Sequence, residues 1–222
     1  MTAFDLFTIG HSNIPAQRFT AMLRAAGIET IADVRSVPAS RFCPWFSAKN
    51  LAPLLAGANM SYLFLGDELG GRPRDPSLYC DGVADYEAMA RQPSFQDGLD
   101  RLLGNAAPRR LCLMCSERDP LDCHRCLLVA RALAARGVTV GHILHDGGIE
   151  SHAATERRLL EGAGEESDLF ATGQNARLAA AYRRRARGVA YRADGNKRTR
   201  TINKNIRNKK IRNKKIRMKK SR

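Results

Sequence analysis

The sequence predicts an α/β fold: a mostly parallel sheet of about five strands with helices on both faces. Two observations predict it. Short apolar runs alternate with amphipathic segments through residues 1–150, and the polar residues gather just after the runs, where such sheets place their ligands.

LFTIG (6–10) is the first buried strand, and Pro15 opens a helix that carries Phe19, Met22 and Leu23 on one face and stops at Gly27. TIADVRS (30–36) is the second strand. SAKNLAPLLAGA (47–58) is the second helix, with Ser47 as a possible cap and Pro53 expected to limit or kink it. YLFLG (62–66) is the third strand, followed by a Gly/Pro-rich loop over 67–81 and helices near 83–91 and 94–104. LCLMC (111–115) is the fourth strand, CHRCLLVARALAARG (123–137) a helix, and VTVGHILH (138–145) the fifth strand. One more helix covers 151–162, while 163–196 is rich in Arg and Ala and gives no clear packing pattern.

The expected organisation is an α/β core over 1–150, a helical extension over 151–195 and a basic repeat tail over 196–222. The formal net charge is +15, but it is not evenly spread. Of 37 Lys and Arg, 14 fall between Lys197 and Arg222 without one Asp or Glu, which leaves 23 basic against 22 acidic residues before them. The tail repeats a unit close to I-R-N-K-K; a period of five fits neither helix nor strand, so disorder is expected. It reads either as an arm for nucleic acid or another polyanion, or as a low-complexity extension that binds polyanions only because it is basic. No apolar run is long enough for a membrane span, and no export signal is evident, so a cytoplasmic protein with reduced cysteines is expected.

The strand ends carry the candidate chemistry. They hold Gly10-His11-Ser12-Asn13, Asp33 with Arg35, Asp67-Glu68-Leu69-Gly70-Gly71, Cys115-Ser116-Glu117, and His145-Asp146. His11 could serve as a general acid or base, or close a turn through its ring. Asp33 and Arg35 share one side of a strand, either as an ion pair or as the support that positions Arg35. Arg41 is an anion contact or a solvated side chain. Gly70-Gly71 lets backbone approach a ligand closely, with Glu68 just before it. Trp45 stacks on a ligand or plugs the end of the sheet.

Four of the six cysteines follow C-x2-C-x7-C-x2-C over 112–126. Paired C-x2-C units suggest zinc, but the seven-residue spacer is short, and Cys112 and Cys115, three apart on a strand, face opposite ways. No metal ligand is therefore assigned, and Cys112 and Cys126 read as small core residues. Cys115 and Cys123 differ, because they face each other across a strand-to-helix junction beside Glu117, His124 and Arg125. A thiol there is open to activation by the helix start and by neighbouring cations. An anion held by the helix start and Arg125 is the other reading. The loop does not match the C-x5-R cradle of protein tyrosine phosphatases, since the sixth residue after Cys115 is Leu121.

Taken together, TIGHSN (8–13), DVRSVPASRF (33–42), YLFLGDELGG (62–71), LMCSERDPLDCHR (113–125) and GHILHDG (141–147) resemble the bacterial domain-of-unknown-function 488 family in order and spacing. The resemblance covers about two-thirds of the chain, implies an α/β domain and stops short of the tail. It implies no activity, but it supports treating the motif residues as one site.

The expectation is an intracellular enzyme with a phosphate-bearing ligand, nucleotide or nucleic acid in its crevice. Its catalytic candidates are His11, Cys115, Glu117 and His124. Asp33, Arg35, Arg41, Glu68, Gly70, Gly71, Cys123 and Arg125 are the ligand-binding candidates. No P-loop or dinucleotide fingerprint suggests ATP hydrolysis or nicotinamide chemistry, and no cofactor is named. The alternatives are a non-catalytic nucleic-acid-binding or redox-sensing module that uses the tail, and a metal-binding protein.

Overall fold

A computed structural model describes residues 4–106, 109–163 and 173–193 of the chain. Residues up to Tyr191 form one compact unit. The basic tail over 196–222 lies outside the described residues.

The expected α/β architecture is present. Among the described residues eight strands occur in chain order: β1 (Leu6–Gly10), β2 (Thr30–Asp33), β3 (Ser61–Phe64), β4 (Tyr79–Cys80), β5 (Val83–Ala84), β6 (Leu111–Cys115), β7 (Val140–Ile143) and β8 (Ile149–Ser151). Six of them form one sheet in the order β3-β2-β6-β1-β7-β8. The first four ladders are parallel, and β8 closes the edge antiparallel to β7. The helices are α1 (Ala16–Ala25), α2 (Ala48–Ala56), α3 (Gly66–Leu69), α4 (Tyr86–Ala90), α5 (Pro93–Ala106), α6 (Arg131–Ala135), α7 (His152–Ala163) and α8 (Gln174–Val189).

The period-two rule explains how the sheet is covered on both sides. From β6, Cys112 and Met114 point into a core with Phe19 and Leu23 of α1 and Leu51 and Leu55 of α2. Leu111, Leu113 and Cys115 point the other way, against Phe95 and Leu99 of α5, Leu133 of α6, Leu159 of α7 and Tyr182 of α8. The two outer cysteines of the C-x2-C pairs, Cys112 and Cys126, are fully buried among apolar neighbours, as expected of core residues.

Several boundaries differ from the sequence reading, each for a local reason. The second strand ends at Asp33 rather than residue 36, because the Asp33 carboxylate accepts the backbone N–H of Arg35 at 3.1 Å. The fifth strand ends at Ile143, where Leu144 N–H bonds back to Gly148 O in a turn that feeds β8. That sixth strand was not expected. Residues 67–81 are not all loop: α3, which begins at Gly66, runs into them, β4 falls within them, and β4 pairs antiparallel with β5. The next helix starts at Tyr86, capped by Asp85, whose carboxylate accepts from the N–H groups of Glu87 and Ala88. α2 runs through Pro53 and ends at Ala56. The segment expected as a helix from Cys123 opens instead with a π-helix, Arg125–Ala130, before α6.

Candidate functional site

The carboxyl ends of β1, β2 and β6 meet on one rim. Backbone bonds from His11 N–H to Cys115 O (2.9 Å) and Ser12 N–H to Ser116 O (2.8 Å) extend the β1–β6 pairing past the strands. Ser12 takes a positive φ of 43°, an uncommon backbone state for a residue with a side chain. Gly10 is needed beneath this junction: a methyl carbon there would collide with the Glu117 carbonyl and stand 2.9 Å from a terminal nitrogen of Arg125.

On that rim two thiols, a carboxylate and an imidazole converge, with one ligating atom from each of Cys115, Glu117, Cys123 and His124 lying within 4.8 Å of the others. Cys115 Sγ and Cys123 Sγ both point at Glu117 Oε2, at 3.0 and 2.9 Å. His124 Nδ1 lies 3.6 Å from Cys115 Sγ and 3.9 Å from Cys123 Sγ. On its far side, His124 Nε2 is 2.9 Å from the carbonyl oxygen of Val34. A carbonyl can only accept, so Nε2 carries hydrogen and Nδ1 presents its lone pair to the sulfurs when the ring is neutral. Glu117 is an exposed residue with its carboxylate turned inward, whereas Cys115, Cys123 and His124 are buried.

The two thiols titrate as a pair, and their burial opposes ionisation of both. Burial, then Cys123 and Glu117, push the Cys115 thiol well up. Burial also works against the Cys123 thiolate, but donation from Cys115 and the positive charges of Arg125 and His124 hold its pKa well below the usual value. Burial, then Cys123, raise the Glu117 carboxyl. For His124, burial is outweighed by Cys123 and Glu117, so its pKa rises.

Cys115, Glu117 and His124 line a pocket of about 290 Å³ together with Arg35, Arg72 and Tyr191. A neighbouring pocket of about 510 Å³ shares Ser36, Val37 and Arg72 with it and contains Glu68 and Gly70. The Arg72 guanidinium rests 4.9 Å from the centre of the Tyr191 ring. Among the described residues no carboxylate lies within ion-pair distance of Arg72. Neither Arg72 nor Tyr191 was singled out from sequence, although Arg72 directly follows the Gly70-Gly71 turn that was.

The remaining candidates have distinct places. Asp33 grips Arg35 with Oδ1 accepting from Nε at 2.8 Å and Oδ2 from NH2 at 2.6 Å, and Oδ2 also accepts from the Tyr62 hydroxyl at 2.8 Å. Arg35 NH1 donates to His11 Nε2 at 3.2 Å, which leaves His11 Nδ1–H to donate to Ser12 O at 2.9 Å. That arrangement needs a neutral ring, and burial lowers the His11 pKa to about 4. His11 therefore stands behind Arg35, stacked at 4.1 Å on Phe46, rather than in the pocket wall. Gly71 lines the pocket beside His124. Glu68 pairs with Arg101. Gly70 packs against Ser36 and the Gly66 carbonyl.

Two arginines do not join the pocket wall. Arg41 is exposed, with its guanidinium over the Phe42 ring at 4.9 Å. Arg125 is completely buried, and its terminal nitrogens donate to the carbonyls of Glu117 (2.7 Å) and Arg118 (3.2 Å), fixing the loop from behind. Trp45 is partly exposed and donates from its ring nitrogen to Ile14 O at 3.2 Å.

The chain is a mixed α/β protein with a mostly parallel sheet and a polar, thiol-bearing pocket beyond its strand ends. The family model described as Domain of unknown function DUF488 matches residues 15–132, more than half of the chain, and the protein belongs to that family. No curated protein and no solved structure matches the chain.

Proposed function

We propose that the protein is an enzyme that carries its chemistry on the Cys115–Glu117–Cys123–His124 cluster and takes a small anionic substrate, phosphate-bearing by preference, into the pocket above it. One observation carries the proposal: two thiols, a carboxylate and an imidazole converge at the floor of a strand-end pocket. Such concentrations of mutually perturbed groups in a cleft are characteristic of reaction centres. Arg72 supplies an exposed positive charge for the anion, and Arg35, fixed by Asp33 and His11, supplies a buried one. The adjoining larger pocket, reached past Ser36 and Arg72, leaves room for the rest of a nucleotide-sized molecule. The six unpaired cysteines suit a reducing cytoplasm, and among the described residues no helix is long and apolar enough to cross a membrane.

Thermal unfolding of the full chain in the presence of inorganic phosphate and of nucleoside mono- and diphosphates tests the reading. A ligand at a hundred times its Kd stabilises the fold by about 2.7 kcal/mol. The expected result is a rise in Tm that Arg72→Ala abolishes without changing the Tm of the free protein, and slow turnover of the same ligand that Cys115→Ser removes. A ligand bound but never consumed would reduce the protein to a binding module.

A second reading rests on the segregation of charge. With 14 basic and no acidic residues over 197–222, the tail is suited to nucleic acid or another polyanion. Truncation before Asn196 is expected to remove most salt-sensitive DNA binding. Equal binding by the shortened chain would rule the tail out.

A further inference from the structure

We infer that Cys115, Cys123, His124 and Glu117 are the ligands of a zinc ion, with Glu117 in the exchangeable position that faces the pocket. This deepens the proposed function by naming what its reaction centre holds. It does not revive the four-cysteine reading: Cys112 faces the opposite core, and Cys126 is not part of the cluster.

The spacing of the donors comes first. With zinc–sulfur bonds of about 2.3 Å and zinc–nitrogen bonds of about 2.0–2.1 Å, a tetrahedral site separates sulfur from nitrogen by roughly 3.6 Å. His124 Nδ1 lies 3.6 and 3.9 Å from the two sulfurs. The carboxylate oxygen, at 3.0 and 2.9 Å from them, is nearer than an ideal tetrahedron edge. It is also on the one exposed residue of the four, so a small torsion of its own side chain is enough to open the angle.

The orientation of the histidine is the second argument. Histidine ligands of metals ordinarily donate their other ring N–H to a carbonyl or carboxylate, which fixes tautomer and ring plane. His124 does so through Nε2 to Val34 O, and the nitrogen left bare is the one aimed at the sulfurs.

The third argument is charge. Arg125 is wholly buried directly behind the cluster, its backbone N–H 3.5 Å from Cys123 Sγ. Its terminal nitrogens donate to carbonyls, its Nε has no hydrogen-bond partner, and among the described residues no carboxylate lies within ion-pair distance of it. A buried charge needs a compensating one nearby. Two thiolates and a carboxylate carry three negative charges; a divalent cation returns two, and Arg125 balances the last.

Paired thiolates with an imidazole select zinc over hard cations such as magnesium or calcium, which require oxygen ligands. Three fixed ligands and a replaceable fourth are the pattern of a catalytic zinc, because a water or substrate atom can take the open position. The pocket wall contains Cys115, Glu117 and His124 but not Cys123, so the open side is the side of Glu117.

The test is elemental analysis of the full chain purified without chelator, followed by replacement of the metal with cobalt(II). One zinc per chain is expected, and the cobalt form is expected to show a thiolate-to-metal charge-transfer band and the strong visible bands of tetrahedral coordination. Cys123→Ser should lose both signals, while Cys80→Ser, at an exposed thiol outside the cluster, should keep them. Loss of a supporting contact alone commonly weakens a metal site 10–100-fold, so Glu117→Gln should lower zinc affinity by at least about tenfold while retaining the charge-transfer band. Substoichiometric metal in the wild type with no cobalt–thiolate band would overturn the inference, as would full metal content in Cys123→Ser. If zinc binds but no anionic ligand raises Tm, the substrate reading fails and the metal site stands. If a ligand stabilises protein that holds no metal, the reverse is true.

Discussion

The backbone of Gly71 lies against the imidazole of His124: a methyl carbon at residue 71 would stand 2.7 Å from ring Cγ and 3.0 Å from Nδ1. The ring cannot give way cheaply, because Nε2 is tied to Val34 O on its other side. Gly71→Ala is therefore expected to displace His124 from the two sulfurs, with an overpacking cost of about 1–3 kcal/mol. Denaturant unfolding measures the stability, and zinc content measures the site. Gly104, exposed in α5 with open space around its α-carbon, is the control, and Gly104→Ala should stabilise by about 0.5–1 kcal/mol. Equal zinc content in Gly71→Ala and Gly104→Ala would show that the glycine does not set the ring.

Asp33 and Arg35 form a buried ion pair, 0% and 4% exposed, with two hydrogen bonds between their side chains. Asp33→Leu leaves the guanidinium buried and unpaired and is expected to cost about 3–5 kcal/mol. The double change Asp33→Leu, Arg35→Met is expected to cost less than the sum of the two single changes, because it also removes the stranded charge. Urea unfolding of the four proteins measures the coupling, and additive costs would mean that the pair is not a unit.

How much of this was legible in the sequence depended on what kind of contact decided each feature. Uniform apolar runs such as LFTIG and LCLMC specify strands buried on both faces, and those two strands have the expected bounds. Ile149–Ser151 is three residues long and is made a strand by pairing with β7, a tertiary contact that no local pattern carries. The spacing of Cys115, Glu117, Cys123 and His124 pointed to one junction, and the structure brings those four together. Arginine roles were the least legible. Arg125, expected as an anion contact, is turned onto two carbonyls because the Glu117–Arg118 loop passes over it, whereas Arg72 reaches the pocket from a loop in which only Glu68 and the Gly70-Gly71 turn were singled out. A long side chain finds its partner through the path of the backbone around it.

Stability should fall as pH drops below about 6.5, the ordinary histidine value, and three buried rings are responsible. Burial lowers the pKa of His11 to about 4, and it lowers those of His142 and His152 as well. Each ring is neutral in the folded protein while its unfolded counterpart takes up a proton. Each therefore contributes up to about 1.4 kcal/mol of lost stability per pH unit below 6.5, until its own folded pKa is passed. His124 acts in the opposite sense in metal-free protein: its pKa is raised, so its proton adds stability as pH falls. His142 and His152 share a bond of 3.0 Å, and His152 bonds in turn to the Tyr182 hydroxyl at 3.0 Å. The expected outcome is a Tm that declines from pH 7 to 5, with a shallower decline in His142→Gln. An unchanged slope in that variant would remove His142 from the account.

The six free cysteines should react with an alkylating reagent in a fixed order, because access and ionisation both differ among them. Cys80 is exposed and is expected to be modified first in native protein. Cys112 and Cys126 are fully buried, and burial pushes both thiols up, so neither should react until the chain unfolds. Cys115 stands between these extremes. It is buried but forms part of the pocket wall, so it should be protected in zinc-loaded protein and become reactive once a chelator removes the metal. Its slow step is then ionisation, because burial pushes its thiol well up. Mass spectrometry of quenched samples, with and without chelator, reads the order directly. Modification of Cys112 as fast as Cys115 in folded protein would contradict the opposite-face packing of β6. Modification of Cys115 at the same rate with and without chelator would mean that no metal shields it.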